Sequence, residues 1–96
     1  MSVTLIVEFN AVDGKVATLL SVVREGAKTT LSAEGCEQCD VYQGKDSPNK
    51  LLLFERWTSV EAHEAHFDKN VSGEALQKIS ELLAGPPKRD RYVLAD

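Results

Sequence analysis

The chain has 96 residues, with 11 basic and 15 acidic side chains and a formal net charge of −4. This length predicts one domain, residues 1–96, and the acidic balance argues against binding to a nucleic-acid backbone. No apolar run approaches the roughly 18 residues of a membrane helix, and the N-terminal residues lack the pattern of a signal peptide. We therefore expect a cytoplasmic protein that has neither a nucleic acid nor a membrane as its partner.

The first half of the chain predicts a strand, a helix and a second strand. Alternating apolar residues predict a strand over residues 3–9. From residue 16 to about residue 32, apolar side chains recur every three or four positions and predict one face of a helix; they are Val16, Leu19, Leu20, Val23, Ala27 and Leu31. A strand is expected over Cys36–Gln43, and the polar loop 44–49 returns the chain as a hairpin.

The second half predicts a third strand, Lys50–Trp57, followed by two helical segments and a last strand. A capping residue at Thr58 predicts a helix over residues 58–68. A second helical pattern follows and is carried by Ala75, Leu76, Ile79, Leu82 and Leu83. The Gly-Pro-Pro sequence at 85–87 ends this pattern, and the last strand is predicted over residues 89–95.

The predicted order β-α-β-β-α-β is that of an α+β, ferredoxin-like fold, in which two helices cover one face of a four-stranded antiparallel sheet. In the third strand, one face carries Leu51, Leu53, Glu55 and Trp57, and the other carries Leu52, Phe54 and Arg56. Each large apolar side chain contributes about 1.5–3 kcal/mol when it is fully buried. We expect a homodimer in which the uncovered faces of two sheets pack together; the alternative is a monomer whose surface includes a few leucines.

Two cysteines and two histidines are of the types that bind zinc: Cys36, Cys39, His63 and His66. Residues three apart in a strand point to opposite faces, so the two cysteines converge on one ion only if a turn passes through them. We therefore expect two reduced, partly buried thiols and no metal site. His63 is expected near the rim of its helix, with its side chain in solvent.

A candidate active site combines Glu55 and Trp57 with His66, nine residues after the tryptophan. The first two project to the same sheet face, and a helix that folds back over that face brings the histidine near both. An imidazole with a pKa near the usual value of about 6.5 removes a phenolic or enolic proton near neutral pH, and an indole offers a flat wall to an aromatic ligand. The alternative is a tryptophan packed in the core and a histidine in solvent.

Three further residues are predicted to contact a substrate: Tyr42, Tyr92 and Arg91. The two tyrosines lie in predicted strands, where tyrosines either line a cavity or serve as packing residues. The arginine belongs to the basic cluster that follows the prolines. This cluster either binds an anionic substrate or forms solvent-exposed ion pairs.

Three segments together resemble the antibiotic biosynthesis monooxygenase (ABM) family of small dimeric α+β barrel proteins, which includes the quinol monooxygenases. They are Glu-Gly-Cys at 34–36, Leu-Phe-Glu-Arg-Trp-Thr-Ser at 53–59 and Ala-His-Glu-Ala-His-Phe at 62–67. The resemblance implies a ferredoxin-like protomer, a homodimer whose two sheets form a barrel, and an oxygenase that works without a metal, flavin or haem cofactor.

The same resemblance implies roles for the candidate residues in the oxidation of a small aromatic, quinol-like compound by dioxygen. His66 is the implied general base, Trp57 is a wall of the pocket, and Glu55 is an orienting or hydrogen-bonding group. In such chemistry the deprotonated quinol itself passes an electron to dioxygen. The protein then needs only to bind the quinol, remove its proton and shield the intermediates from water.

Other members of the resembled group imply other functions. The family is similar to haem-degrading enzymes that use an Asn, a Trp and a His, but Val7 stands at the position of the Asn, so haem degradation is not expected. A second alternative is an isomerase of a small phosphorylated ketose, in which Arg89 or Arg91 holds the phosphate. A third is a non-catalytic dimer that binds a small metabolite.

Overall fold

The computed structural model describes residues 2–70 and 73–95, without the side chains of residues 68–76. Its elements follow in the order β1 (Val3–Asn10), α1 (Val16–Leu31), β2 (Cys36–Gln43), β3 (Lys50–Trp57), α2 (Val60–Asn70), α3 (Gly73–Ser80) and β4 (Lys88–Tyr92). This succession, with a four-stranded antiparallel sheet, confirms the predicted α+β, ferredoxin-like fold class. Within the described residues, no helix is long and apolar enough to cross a membrane.

The sheet has the strand order β2-β3-β1-β4, and neighbouring strands are antiparallel. Paired residues of antiparallel strands project to the same face, so the partners Val3 and Trp57 lie on one side of the sheet with Leu5 and Glu55. Alternate residues of β1 are buried there; they are Val3, Leu5, Val7 and Phe9. We call this face, which packs against the helices, the helix side, and the opposite face the outer face.

Helix α1 packs an apolar stripe on the helix side of the sheet. Leu19 and Val23 are buried in one apolar cluster with Leu51 and β1. The predicted stripe is wrong at its end, because Leu31 is 51% exposed and Thr30 is buried instead. At 3.6 residues per turn, Thr30 is seven positions after Val23 and falls on the same face, whereas Leu31 is rotated from it by about 100°.

Helix α2 begins at Val60, and its first turn is capped by Ser59 rather than by the predicted Thr58. The hydroxyl of Ser59 accepts a hydrogen bond from the backbone N–H of Ala62 at 3.1 Å, as an N-cap side chain does. The backbone N–H of Thr58 donates instead to the carbonyl oxygen of Gly35 at 2.8 Å. The start of α2 is therefore tied to the turn that precedes β2.

The second predicted helical pattern is shorter in the structure, where α3 ends at Ser80. Three of the residues that carry the pattern pack against the core cluster: Ile79, Leu82 and Leu83. The side chains of Ala75 and Leu76 lie outside the described residues. Leu83 forms an isolated β-bridge with Ala11, which holds the segment after α3 against the end of β1.

The last strand, β4, is shorter than predicted and has different limits. It covers Lys88–Tyr92, and Val93 and Leu94 follow it with exposed side chains. Tyr92 pairs with Thr4, the second residue of β1, so in this register Val93 would lie opposite the first residue of β1 and Leu94 lies past its start. Little of the partner strand is therefore left for the apolar residues that suggested a longer strand.

The outer face of the sheet carries an apolar band that spans the four strands: Tyr42, Leu52, Phe54, Ile6 and Tyr92. Tyr42 lies opposite Leu52, and Tyr92 lies opposite Thr4, which places both tyrosines on this face. Both tyrosines are about half exposed. On its helix side β3 buries Leu51, Glu55 and Trp57 and leaves Leu53 half-buried, and it presents large apolar groups on its other face, as its sequence predicted.

Candidate active site

A cavity of about 850 Å³, which we call the main cavity, lies between the helices and the helix side of the sheet. Its polar lining residues come from five elements: Thr29 and Thr30 of α1, Glu55 of β3, His63 and His66 of α2, Ser80 of α3 and Arg89 of β4. Most of the other lining residues are apolar. A cavity of this size, with an apolar lining and a few convergent polar groups, is typical of a site for a small organic ligand.

Gly35 allows α2 to lie close against the turn before β2. Its φ of +89° lies in the region that favours glycine. A Cβ atom there would lie 2.6 Å from the Cβ atom of Ala62, which is closer than side chains tolerate. This close approach holds the first turn of α2 beside the end of β3, and the histidines of the following turns then reach Trp57.

Trp57 lies behind the main cavity and is not part of its lining. The indole is fully buried, and its Nε1–H donates a hydrogen bond to Oε1 of Glu55 at 2.8 Å. Burial raises the pKa of Glu55 above its ordinary value of 4.5, against the opposing effects of the indole hydrogen bond and the charge of Arg89. The tryptophan therefore orients a carboxyl group that lines the cavity, and the predicted role of pocket wall does not fit its position.

His66 lines the main cavity and is supported by side chains of two other elements. Its ring centroid is 5.1 Å from that of Trp57, with 37° between the ring planes. Its Nε2 atom is 3.3 Å from Oγ1 of Thr30, a buried residue of α1. Burial lowers the pKa of His66 below 6.5, which favours the neutral imidazole at neutral pH. A neutral imidazole in this position can accept a proton from a bound ligand.

His63 is buried, so the prediction that its side chain is in solvent is wrong. Its ring packs between Trp57 and Phe67, with centroid distances of 5.6 and 6.2 Å. Its Nδ1 atom is buried and has no hydrogen-bond partner among the described residues. Burial is the largest cause that lowers the pKa of His63, and the charges of Arg89 and Arg91 lower this pKa further. The spacing of three residues from His66 is the sequence signal that both rings share one helical face.

A second cavity of about 370 Å³ adjoins the main cavity next to β4. Its lining includes Arg91, whose Nη1 atom is 3.2 Å from Oε1 of Glu64. Arg89 lines both cavities, and its guanidinium carbon lies 4.3 Å from the centroid of the Phe67 ring, within the range of a cation–π contact. The predicted substrate contact Arg91 therefore faces the second cavity and is not part of the main one.

The structure does not bring the other predicted contacts to either cavity. Tyr42 and Tyr92 lie on the outer face, whereas both cavities lie on the helix side. The face of a strand residue depends on its register with neighbouring strands, which the tyrosines alone do not reveal. Conversely, the sequence analysis missed Thr30 and Phe67. A signal was available for each residue. Thr30 is spaced from the apolar stripe of α1 so that it falls on the same face, and Phe67 is four residues after His63.

The expectation that Cys36 and Cys39 point to opposite faces is wrong. A β-bulge near Gln38 shifts the register of β2, so Cys36 pairs with Trp57 and Cys39 pairs with Glu55 on the same side. Both thiols are free, and burial, followed by the charge of Glu55, raises the pKa of Cys39 to about 12. Within residues 2–70 and 73–95, no group of three or more His, Cys, Asp or Glu side chains could hold a metal ion.

Comparisons with known proteins give the family and the fold. The family described as antibiotic biosynthesis monooxygenase matches residues 2–78. The solved structure of Rv0793 from Mycobacterium tuberculosis is 24% identical, with a TM-score of 0.89 over 100% of this chain and 97% of that one. A conserved protein from Methanosarcina mazei Go1 is 22% identical, with a TM-score of 0.87 over 96% of this chain and 91% of its own.

A third solved structure, named as an antibiotic biosynthesis monooxygenase, is 14% identical, with a TM-score of 0.87 over 98% of this chain and 99% of that one. No curated protein matches the chain. At these identities the structural likenesses establish a shared fold and leave the chemistry to be argued from the site.

Proposed function

The chain belongs to the antibiotic biosynthesis monooxygenase family, and on that premise we propose that it is a monooxygenase that oxidises a small aromatic quinol with dioxygen and uses neither a metal nor an organic cofactor. The observation that carries the proposal is the imidazole of His66 in the lining of a largely apolar cavity, with its Nε2 atom 3.3 Å from Oγ1 of Thr30 and its pKa lowered by burial. A quinol has the two properties that such a site can use, namely a flat apolar ring and an acidic O–H group.

The first step is the transfer of a proton from the quinol to His66. Removal of the proton makes the quinol a strong enough electron donor to reduce dioxygen, so the substrate itself is the reductant. Thr30 holds Nε2 of the imidazole, and Trp57 supports the ring from behind. These contacts fix the base before the substrate arrives, which lowers the cost of reaching the reactive geometry.

The overall reaction balances without another reductant. One molecule of hydroquinone and one of dioxygen give one molecule of hydroxybenzoquinone and one of water, so one oxygen atom enters the ring and the other leaves as water. The four electrons that reduce dioxygen come from the ring, which is oxidised and loses hydrogen. His66 in its protonated form returns a proton to the oxygen that leaves as water.

Glu55 supports this scheme as a polar group that lines the same cavity. Its pKa is raised by burial, which favours a protonated carboxyl group that can donate a hydrogen bond. Trp57 holds one of its oxygens at 2.8 Å. The other end of the carboxyl group is then available to orient a phenolic oxygen of the quinol.

We also infer that the outer face is the contact surface of a homodimer. Five large side chains form a band on it: Ile6, Tyr42, Leu52, Phe54 and Tyr92. Full burial of such side chains contributes about 1.5–3 kcal/mol each, and a second copy presents a band of the same chemistry. This pairing leaves the two main cavities on opposite sides of the packed sheets.

The decisive experiment measures oxygen uptake by metal-free protein with a panel of quinols and analyses the product by mass spectrometry under ¹⁸O₂. Under ¹⁸O₂ we expect one labelled oxygen atom in the product. In H₂¹⁸O with unlabelled dioxygen we expect none, provided that the product is trapped before its carbonyl oxygens exchange with water. Hydrogen peroxide as the reduced product, with no label in the ring, would contradict monooxygenation. Turnover of a phosphorylated ketose without oxygen would favour the isomerase instead, and binding without any product would favour a metabolite-binding protein.

A further inference from the structure

The second cavity lies beside the main cavity. They share four lining residues: Leu5, His63, Phe67 and Arg89. Because Arg89 lines both, a ligand whose aromatic ring occupies the main cavity can place a substituent beside this side chain, next to the smaller space of about 370 Å³. We call this smaller space the anion pocket, for the charge that its lining side chains carry.

The charged side chains that face the anion pocket leave one positive charge without a partner. Arg91 is neutralised by Glu64 at 3.2 Å. Arg89 has no carboxylate within ion-pair distance among the described side chains, and the Phe67 ring holds its guanidinium group in place. Asp90 contributes to the lining but pairs with Ile6, so its side chain belongs to the outer face.

Two other titratable groups near Arg89 do not cancel its charge within the pocket. Burial, and then the charges of the two arginines, lower the pKa of His63 below 6.5, which favours its neutral form. Glu55 lines the main cavity and not the anion pocket, and burial disfavours its charged form. Among the described side chains, Arg89 therefore gives the pocket a positive charge that no carboxylate pairs with, carried by an exposed planar group with several N–H donors.

We propose that the anion pocket binds a single carboxylate substituent of the substrate through Arg89. The aromatic part of this assignment rests on the proposed function. A carboxylate fits better than a phosphate, because one negative charge balances one unpaired guanidinium group and because two carboxylate oxygens accept two parallel N–H donors. The substrate class is therefore an aromatic quinol that carries one acidic group next to its ring.

The test compares two ligands that differ only in charge, 2,5-dihydroxybenzoate and 2,5-dihydroxybenzamide. Their affinities are measured by calorimetry at pH 7 without oxygen, so that binding is separated from turnover. We expect the wild-type protein to bind the benzoate at least tenfold more tightly than the benzamide. Equal affinities, or failure of the benzoate to bind, would contradict the proposal.

Variants then assign the preference to one side chain. Arg89→Gln is expected to reduce the preference to less than threefold, whereas Arg24→Gln, which removes an exposed arginine of α1, keeps it. A preference that survives in Arg89→Gln would overturn the assignment. Circular dichroism melts show whether each variant is folded. Phe67→Leu is a second variant, which removes the cation–π contact with Arg89 but keeps the charge of the arginine.

The outcomes for the pocket and for the proposed function are distinguishable. If the benzoate binds preferentially but no oxygen is consumed, the monooxygenase proposal fails and the anion pocket stands. If both ligands bind equally and both are oxidised with the same kcat/KM, the anion pocket fails and the monooxygenase proposal stands.

Discussion

The indole N–H of Trp57 donates to a carboxyl oxygen of Glu55 at 2.8 Å, between two side chains that are 0% and 5% exposed. The two residues are neighbours on the same face of β3, where one is packed in the core and the other lines the main cavity. A buried carboxyl oxygen that loses its donor cannot regain one from water. The hydrogen bond therefore links the stability of the core to the polarity of the site.

Replacement of Trp57 by Phe is expected to reduce the free energy of unfolding by at least about 2 kcal/mol, because it leaves a buried acceptor unpaired and a space behind the histidines. Urea unfolding followed by circular dichroism measures this change. The same substitution in a Glu55→Leu background serves as the control. An equal loss of stability in both backgrounds would show that the hydrogen bond contributes nothing.

Glu55 also predicts how stability varies with pH. Its pKa is raised in the folded protein above the ordinary value of 4.5, which applies to the unfolded protein. At a pH between the unfolded and the folded pKa, the folded state therefore binds more protons than the unfolded state. Its contribution is present at low pH and is lost as the pH rises through the raised pKa. Glu55→Gln does not titrate, and we expect the variant to gain stability relative to the wild type as the pH rises above 4.5. A difference that is constant from pH 4 to 8, or that falls, would contradict the raised pKa.

The proposed base predicts the pH dependence of activity. Because burial lowers the pKa of His66, kcat/KM of the wild-type protein should fall only as the pH drops below 6.5. His66→Ala is expected to lower kcat/KM at pH 7 by about 10² to 10⁴-fold. The residual activity of the variant should rise with pH, because the quinol then ionises without help. Oxygen uptake from pH 5 to 9 measures both profiles.

Two results would decide against this role. Activity of His66→Ala within twofold of the wild type would remove the residue from the reaction. The second result concerns the fall of kcat/KM at low pH. If this fall disappears in His63→Phe but remains in His66→Ala, the titrating group is His63, whose pKa is lowered as well.

Thr30 is predicted to be a positioning residue for His66 because its Oγ1 atom lies 3.3 Å from Nε2 of the ring. Thr30→Val keeps the shape of the side chain and removes the hydrogen bond. We expect kcat to fall about tenfold while KM changes by less than twofold, since the bond orients the base and does not bind substrate. Thr30→Ser restores the hydroxyl and should recover most of kcat in steady-state assays. An equal loss in the valine and serine variants would indicate a packing role only.

The sequence predicted the main features of this site and missed those that depend on pairing between distant segments. Glu55 and His66 were found because strand and helix periodicity place them on one face, and both line the main cavity. The side of Cys36 and Cys39 could not be predicted, because a β-bulge is a property of the pairing of β2 with β3. The same limit applies to Tyr42 on β2.

Burial of polar residues was the second limit. His63 and Thr30 are both polar residues at positions that face the interior of the fold, 4% and 9% exposed. A rule that places polar residues in solvent fails for residues that line a cavity. Such residues are shielded from bulk water, and their polar groups can contact a bound ligand. The spacing of each residue from its apolar neighbours was a better guide than its polarity.

Leu52 on the outer face tests the proposed homodimer. Leu52→Glu places a charge in the apolar band, between Tyr42 on one neighbouring strand and the carboxylate of Glu8 on the other. Because a buried charge without a partner costs several kcal/mol, we expect the variant to be a monomer at micromolar concentration, while the wild type sediments as a dimer. Leu31→Glu is the matched control, since this leucine is 51% exposed at the end of α1 on the other side of the sheet. Analytical ultracentrifugation compares the three proteins. A wild type that sediments as a monomer, or a Leu52→Glu variant that stays dimeric, would place the contact surface elsewhere or remove it.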